Sequence, residues 1–170
     1  MIFYTSDTHF GDERIMKLCR RPHGSVDEMD RDLILRWNIR VGEDDVVYHL
    51  GDLAVSDEVA CRILPLLNGH VFFVPGNHDT VLDKSLSLIE QLPQICTVQD
   101  AGRSVALCHY PLLSYHNSIY GGYHVFGHIH NNPADPATKI VRQLPRSFNA
   151  GVDVCGFVPL TLDELIRGKQ

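Results

Sequence analysis

The segment VFFVPGNHD, residues 71–79, is an apolar run that stops at a turn and then carries polar side chains. Its apolar part, Val71 to Val74, has the length and composition of a buried β-strand. The Pro-Gly pair ends the strand, because proline offers no backbone N–H and glycine permits a sharp turn. Asn77 and His78 therefore follow directly on a strand end, where a rigid strand can position functional side chains.

The same arrangement recurs along the chain. Strands are predicted at 2–5, 46–50, 104–108 and 123–126, and polar residues follow each of them: Asp7 and His9, then Asp52, then His109, then His128 and His130. Ligand sites of parallel or mixed sheets lie at the carboxyl ends of their strands. The sequence therefore predicts that these side chains meet at one edge of the fold.

The rest of the chain predicts a single domain spanning residues 1–170. Ser25 with Glu28, and Thr161 with Glu164, form capping boxes that begin helices, the second of which ends at Gly168. Further helices are expected from Ser56 to about Leu67, with a break at Pro65, and near Leu82 to Gln91; further strands are expected at 95–98 and, more weakly, at 139–142 and 147–152. Early alternation of strands and helices, followed by clustered strands, predicts an α/β (α+β) protein with two mixed sheets covered by helices.

Composition excludes several classes of protein. The net charge of −6 argues against an extended nucleic-acid surface, which requires a basic face, although it permits a small nucleotide whose charge a metal ion balances. No apolar run is long enough to cross a bilayer, and the first residues lack the basic region of a secretory signal. Five scattered cysteines are typical of reduced core residues, so we expect a cytoplasmic protein.

The types of the polar residues indicate a metal centre. Aspartate, asparagine and histidine offer oxygen and nitrogen ligands without thiolate, a set that suits Mn²⁺ best and also Fe, Zn²⁺, Ni²⁺ or Co²⁺. Seven such donors are too many for one tetrahedral ion, so we predict two ions that share a bridging carboxylate. Glycines precede three of the positions, namely Gly51, Gly76 and Gly127, and are expected to permit left-handed turns there.

Each motif taken alone is weak. A D-x-H triplet such as Asp7 to His9 is common in surface loops, Gly51-Asp52 is usually a turn, and two histidines in alternation such as His128 and His130 often line a solvated strand. Only the order of the motifs and their repeated position after strands favour the metal centre.

Taken together, Asp7-x-His9, Gly51-Asp52, the tetrapeptide at 76–79, His109 and Gly127-His128-x-His130 resemble the signature segments of the calcineurin-like metallophosphoesterases. The segment around Arg21 and the tail from Asn149 to Val154 are similar to a small bacterial and phage branch of that superfamily. One departure is Asp12, where relatives often carry histidine, which leaves the contacts of that position open.

The resemblance implies a four-layer αββα sandwich with a dinuclear metal site at the carboxyl ends of its strands. It implies that Asp7, His9 and His130 hold the first ion, that Asn77, His109 and His128 hold the second, and that Asp52 bridges them. It further implies that the ions share a hydroxide nucleophile and that the catalytic residues are Asp52 and His78. His78 would act as proton donor to the leaving group or as a phosphate contact, with Asp79 orienting its imidazole.

The expected activity is that of a phosphodiesterase acting on a small nucleotide, a cyclic nucleotide or a similar diester. A phosphomonoesterase of the same fold and a non-catalytic metal-binding interaction scaffold are the alternatives. Several residues remain open between roles: Arg14, Arg20 and Arg21 either contact an anionic substrate or decorate an exposed helix, and Tyr110 and Tyr115 either line the pocket or are structural. His49 is expected to be a buried or supporting histidine rather than a ligand.

Overall fold

The computed structural model describes residues 1–79 and 85–168. In this part of the chain, eight strands form two four-stranded sheets, and five α-helices accompany them. The elements in chain order are β1 (Ile2–Thr5), α1 (Glu13–Leu18), α2 (Val26–Arg40), β2 (Val46–His49), α3 (Asp57–Ile63), β3 (His70–Phe73), β4 (Glu90–Gln91), β5 (Ile95–Asp100), β6 (Arg103–Cys108), β7 (Tyr123–Phe126), α4 (Pro136–Val141), β8 (Ser147–Asn149) and α5 (Leu162–Gly168). None of the described helices is long and apolar enough to cross a membrane.

The two sheets differ in strand direction. The first has the order β1-β2-β3-β4 and is parallel throughout, and the second has the order β5-β6-β7-β8, with an antiparallel β5–β6 pair and two parallel pairs. The predicted α/β class with two sheets is confirmed, but the prediction that both sheets are mixed is wrong for the first. The β1–β2 and β2–β3 connections cross over through helices, which return the chain to the same end of the sheet.

The core follows the alternation of the strands. In β1, Phe3 packs with Met29 and Trp37 of α2, whereas the next residue, Tyr4, belongs to a second cluster that includes Val105 and Val125 of the other sheet. Successive side chains of a strand point to opposite faces. One face of the first sheet is therefore covered by helices, and apolar side chains from its other face share a core with the second sheet.

The helix signals in the sequence perform as expected, with one variation. Ser25 accepts the N–H of Glu28 at 3.2 Å, but the Glu28 carboxylate accepts the N–H of Gly24 rather than that of Ser25. Thr161 and Glu164 form a reciprocal capping box at the start of α5. Helix α3 gives way at Ile63 to a 3₁₀ turn that contains Pro65, as its missing N–H requires.

Three sequence-based expectations need correction. Residues 139–142 were expected as a strand but lie within or just after α4, because Asp135 caps this helix and Pro136 occupies its first position. The helix expected near 82–91 is wrong over its second half, where a 3₁₀ turn at Ser85–Leu88 and the short strand β4 occur, and residues 80–84 lie outside the described residues. Helix α1 was given no bounds in advance; Asp12 caps it by accepting the backbone N–H of Arg14 at 2.8 Å.

Candidate metal centre

The loops that follow β1, β2, β3, β6 and β7 meet at one edge of the two sheets. The carboxylate of Asp7, after β1, accepts the backbone N–H of His128, after β7, at 3.0 and 3.1 Å. The N–H of Asp7 in turn donates to the carbonyl of Gly51, after β2, at 3.0 Å. The predicted site residues therefore converge because the carboxyl ends of parallel strands in both sheets face the same region.

Five of these residues have left-handed backbone conformations. The φ angles are 57° for Asp7, 49° for His9, 57° for Asp52, 68° for His128 and 46° for His130. Such angles are uncommon for residues other than glycine and cost about 1–3 kcal/mol each, so they persist only where the surroundings impose them. Strain of this kind clusters at functional sites, and here it falls on the residues that the motifs identified.

The three glycines have a different role from the one expected. Only Gly51 is left-handed, with φ at 90°, whereas Gly76 and Gly127 are required for close approach. A Cβ at Gly76 would collide with the Asp52 carboxylate, and one at Gly127 would collide with Ser6 and the Asp7 carboxylate. The ligand-bearing residues adopt the left-handed turns themselves, and the glycines make room for their carboxylates.

One group of donors forms a compact triangle. Asn77 Oδ1 lies 3.0 Å from His109 Nε2 and 2.9 Å from His128 Nδ1, and the two ring nitrogens are 3.2 Å apart. Around an ion with ligand distances of about 2.1 Å, neighbouring ligands lie about 3.0 Å apart in an octahedron and about 3.4 Å apart in a tetrahedron. The triangle therefore has the size of a ligand set. His109 Nδ1 donates to the Leu50 carbonyl at 2.7 Å, which leaves Nε2 unprotonated and able to bind.

The carboxylate of Asp52 lies between two groups of donors. Its Oδ2 is 3.5 Å from His109 Nε2 and also 3.5 Å from His9 Nε2, while its Oδ1 accepts the N–H of His78 at 2.9 Å. The side chain is 2% exposed. One oxygen is thus held by the backbone, and the other faces nitrogen atoms on both sides.

The second group consists of Asp7, His9 and His130, whose ligand atoms lie within 4.8 Å of one another. His130 Nε2 is 3.8 Å from Asp7 Oδ1, a wider spacing than in the triangle around Asn77. His9 Nε2 is buried and has no hydrogen-bond partner among the described residues. A buried nitrogen without a partner, facing two carboxylates, fits a position that a cation would complete.

The orientation of His130 depends on two residues that were not predicted to support a ligand. His130 Nδ1 donates to Asp153 Oδ2 at 2.8 Å, and Asp153 forms a buried ion pair with Arg21 at 2.8 Å. Arg21 was expected at a substrate or on an exposed helix face; it is buried instead, so neither expectation holds. The only sequence signals were the similarity of the 149–154 tail and of the Arg21 segment to one branch of the family. The thiol of Cys19 also lies beside His130 and Asp153.

The protonation of the histidines follows from burial and from the carboxylates. Burial lowers the pKa of His9 to about 4, and burial together with His109 lowers the pKa of His128, so both imidazoles are neutral at pH 7. Burial raises the pKa of the Asp7 carboxyl to about 6. For His130, burial would lower the pKa, but hydrogen bonds to Asp153 and Cys19 and the charge of Asp7 outweigh it and raise the pKa to about 10. The surroundings of His130 thus favour a positive charge, which a metal ion on Nε2 would supply in place of a proton.

His78 and Asp79 occupy different environments. His78 is exposed, and its ring centroid lies 5.4 Å from that of His9. Asp79 is buried and accepts backbone N–H groups from Asp52 at 2.6 Å, Gly76 at 2.7 Å and Leu53 at 3.0 Å. The expectation that Asp79 orients the His78 imidazole is therefore replaced: Asp79 holds together the two loops that carry Asp52 and Asn77.

The histidines outside the motifs have structural partners or are exposed. His49 is buried, contacts Thr8 Oγ1 at 3.0 Å and stacks on Trp37, so it supports the loop between Asp7 and His9, as predicted. His124 accepts the N–H of Leu112 at 3.0 Å.

Of the two tyrosines, one is structural and one lies at the rim of the site, and the remaining arginines are exposed. Tyr115 packs on His124 and donates to the Gly122 carbonyl at 3.3 Å, so it is structural. Tyr110 is 46% exposed and its ring lies 4.6 Å from that of His128, at the rim of the site. Arg14 is exposed and pairs with Asp12, and Arg20 is exposed.

Comparison with known proteins shows relatives over nearly the whole chain. An uncharacterized protein, MJ1445, of Methanocaldococcus jannaschii is 34% identical over 169 residues, which cover 98% of this chain and 89% of that protein. The gene 66 protein of Mycobacterium phage L5 is 35% identical over 81 residues, or 45% of this chain and 39% of that protein. No protein-family model matches the chain.

Two solved structures have a similar fold. A protein of unknown function, AQ665, from Aquifex aeolicus aligns with a TM-score of 0.76 at 24% identity and covers 98% of each chain. The nuclease MPE of Pseudomonas putida aligns with a TM-score of 0.52 at 18% identity, over 76% of this chain and 61% of that chain. At these identities the similarity shows a shared fold alone.

Proposed function

We propose a function for the family to which this chain belongs, that of the uncharacterized protein MJ1445 of Methanocaldococcus jannaschii: metal-dependent hydrolysis of a phosphate ester on a calcineurin-like metallophosphoesterase fold. The fold would be a four-layer αββα sandwich. The shared core between the two sheets and the helices on the outer face of the first support that arrangement.

The observation that carries the proposal is the position of Asp52. A single carboxylate oxygen lies 3.5 Å from His9 Nε2 and 3.5 Å from His109 Nε2, between two separate groups of nitrogen and oxygen donors. A carboxylate that serves only to stabilise the fold does not need to face two ring nitrogens. Neither of these two nitrogens makes another ion pair in the described chain. A bridging ligand between two cations requires this arrangement.

The assignment of ligands follows the two groups. Asp7, His9 and His130 would hold one ion, and Asn77, His109 and His128 the other, with Asp52 shared. Two observations support the fit of these groups to metal ions. Asn77, His109 and His128 form a compact triangle, and His9 Nε2 has no hydrogen-bond partner in the described chain. Both groups consist of nitrogen and oxygen donors without a thiolate, a set that favours Mn²⁺, with Fe, Zn²⁺, Ni²⁺ or Co²⁺ as further candidates.

The chemistry divides between ions and protein. When bound, two divalent ions neutralise phosphate charge and lower the pKa of water toward neutrality, which provides a nucleophile. The protein holds the donors in place through the left-handed loops, and Asp79 fixes the relative positions of Asp52 and Asn77 through three backbone N–H groups. Preorganisation of this kind avoids reorganisation during the reaction.

His78 is proposed as the proton donor to the leaving group. The backbone N–H of His78 donates to Asp52 Oδ1, so the exposed imidazole lies beside the centre. There it would meet the leaving-group oxygen of a bound substrate. Proton donation matters most for diesters with alkoxide leaving groups, since such groups are strongly basic. The proposal is therefore a phosphodiesterase that acts on a small nucleotide, a cyclic nucleotide or a similar diester.

The test is an activity screen of chelator-treated protein reconstituted with Mn²⁺. The substrates are bis-p-nitrophenyl phosphate, p-nitrophenyl phosphate and a set of cyclic nucleotides, and the control is the same protein without added metal. Metal-dependent turnover of the diesters in preference to the monoester supports the proposal. Preference for the monoester would assign a phosphomonoesterase, and two bound ions without turnover of any substrate would assign a non-catalytic scaffold.

A further inference from the structure

Arg21 lies at the centre of a hydrogen-bond network. The network reaches the loop that carries Asp7 and His9 and, through Asp153, also reaches His130. The side chain of Arg21 is fully buried, and its guanidinium donates to both carboxylate oxygens of Asp153, at 2.8 and 3.1 Å. It also donates to the backbone carbonyls of Asp7 and Thr8, each at 2.7 Å. The planar fork of arginine can make these contacts at once, whereas lysine offers a single point charge.

The carbonyl contacts complete the support of a strained loop. The N–H groups of Asp7 and His9 donate to the carbonyls of Gly51 and Asp52, each at 3.0 Å, which fixes one side of this left-handed stretch. Arg21 fixes the other side through the carbonyls of Asp7 and Thr8. Left-handed residues other than glycine persist where their surroundings determine them, and Arg21 provides a large part of that determination.

The carboxylate contact orients the other end of the group. Asp153 accepts the Nδ1–H of His130 at 2.8 Å, so the Nε2 of this histidine is unprotonated on the side of Asp7 when a metal is bound. A carboxylate behind a histidine ligand fixes the ring and raises its basicity, and changes to such a partner usually cost about 10–100-fold in metal affinity.

The Asn77, His109 and His128 group lacks this kind of support in the described chain. His109 Nδ1 donates to a neutral carbonyl, that of Leu50 at 2.7 Å, and His128 uses Nδ1 toward Asn77. The histidines of the two halves are therefore supported differently: His130 by a buried ion pair, and His109 and His128 by backbone and amide groups.

We propose that Arg21 and Asp153 form a positioning pair that sets the metal affinity of the Asp7, His9 and His130 half alone; this inference rests on the proposed metal centre. Cys19, His130 and Asp153 lie close enough to form an alternative ligand set, but the guanidinium at 2.8 Å from Asp153 opposes a second cation there. The pair therefore acts on the metal through His130 and the Asp7 loop.

The test is titration of the metal-free full chain with Mn²⁺, with free Mn²⁺ measured by electron paramagnetic resonance. We expect two ions per wild-type chain. In Asp153→Asn, one of the two affinities should fall by about 10–100-fold while the other is unchanged. In a His128→Ala background, which lacks one donor of the other half, the same substitution should still weaken binding at the Asp7 half.

Two further variants separate positioning from folding. Arg21→Lys keeps the buried charge and removes the fork, and it should weaken the same affinity by a smaller factor while circular dichroism shows a native spectrum. The control is Glu164→Gln, which alters the ion pair between both Glu164 oxygens and one guanidinium nitrogen of Arg40, at 2.7 Å, between α2 and α5 and outside the centre. It should leave both affinities unchanged.

The outcomes separate a failure of the positioning role from a failure of the proposed metal centre. Two unchanged affinities in Asp153→Asn and Arg21→Lys, or an equal loss at both sites, would overturn the positioning role and leave the metal centre intact. If Asp153→Asn does not fold, two unchanged affinities in folded Arg21→Lys would by themselves overturn the positioning role. Absence of Mn²⁺ binding by the wild-type chain would overturn both.

Discussion

The Asp52→Asn substitution is the sharpest test of the dinuclear arrangement. Asparagine keeps the oxygen that accepts the His78 N–H at 2.9 Å, so the loop conformation is expected to survive. The other oxygen becomes an NH₂ group that faces His9 Nε2 and His109 Nε2, each 3.5 Å from the present oxygen. The change therefore removes one negative charge and aims a hydrogen-bond donor at two ligand atoms.

The magnitude follows from Coulomb's law. At an effective dielectric constant of about 20, two unit charges about 4 Å apart interact by about 4 kcal/mol, and a tenfold change in affinity corresponds to about 1.4 kcal/mol. Each ion carries two positive charges, so loss of the Asp52 charge should weaken metal binding by at least about three orders of magnitude. Both ions should be affected, because the carboxylate faces both donor groups.

The assay combines equilibrium dialysis against Mn²⁺ with turnover of bis-p-nitrophenyl phosphate. The control is Asp100→Asn, which also changes a buried carboxyl group but one that accepts the Tyr4 hydroxyl at 3.1 Å, away from the centre. The control should bind metal like the wild type. Two tightly bound ions and near-normal turnover in Asp52→Asn would refute the bridging assignment.

Four other changes test separate parts of the structure. Chelation should abolish phosphoesterase activity, and Mn²⁺, Co²⁺ or Ni²⁺ should restore it better than Mg²⁺, which accepts imidazole poorly; activity of the metal-free protein would contradict the centre. His78→Asn should lower kcat/KM about 10²–10⁴-fold on a diester with an alkoxide leaving group and much less on bis-p-nitrophenyl phosphate, and equal losses would argue against proton donation. Gly76→Ala should lower the free energy of unfolding by about 1–3 kcal/mol in urea titrations, because its Cβ meets the Asp52 backbone N at 2.7 Å, whereas Gly168→Ala, with nothing within 4 Å, should not. Burial lowers the pKa of His49 to about 3, so between pH 6.5 and 3 the unfolded chain binds a proton that the folded chain does not. The free energy of unfolding should therefore decrease as the pH is lowered, by about 2 kcal/mol between pH 6.5 and pH 5. His49→Gln should remove this part of the pH dependence from metal-free protein, and an unchanged slope would show that His49 does not titrate in this way.

Local signals in the sequence predicted much of the fold. Strand ends at residues 5, 108 and 126 and the capping residues Ser25 and Ser56 occur where the pattern placed them, because apolar alternation and caps are properties of short segments. The strand predicted at 139–142 is wrong, since the apolar residues of this segment are compatible with either a strand or a helix. The Asp135-Pro136 cap decides for the helix.

The candidate site was likewise predictable only where it depends on residues that are close together in the sequence. Each motif residue could be proposed from its type and its position after a strand, and the assignments of ligands stay predictions. The sheet arrangement brings these residues together, because the loops of two sheets must face one another before Asp7 can accept the N–H of His128. The left-handed conformations of the donors, rather than of Gly76 and Gly127, also arise from that assembly.

The sequence by itself determined the strand ends, the helix caps and the donor types, because each depends on residues a few positions apart. Only the tertiary structure decided which partners support those donors. Arg21 and Asp153 are 132 positions apart along the chain and form a buried ion pair, and Asp79 serves the backbone of Asp52 rather than the neighbouring imidazole. No local pattern encodes such contacts, since they exist only when distant segments pack and exclude water from charged groups that must then find each other.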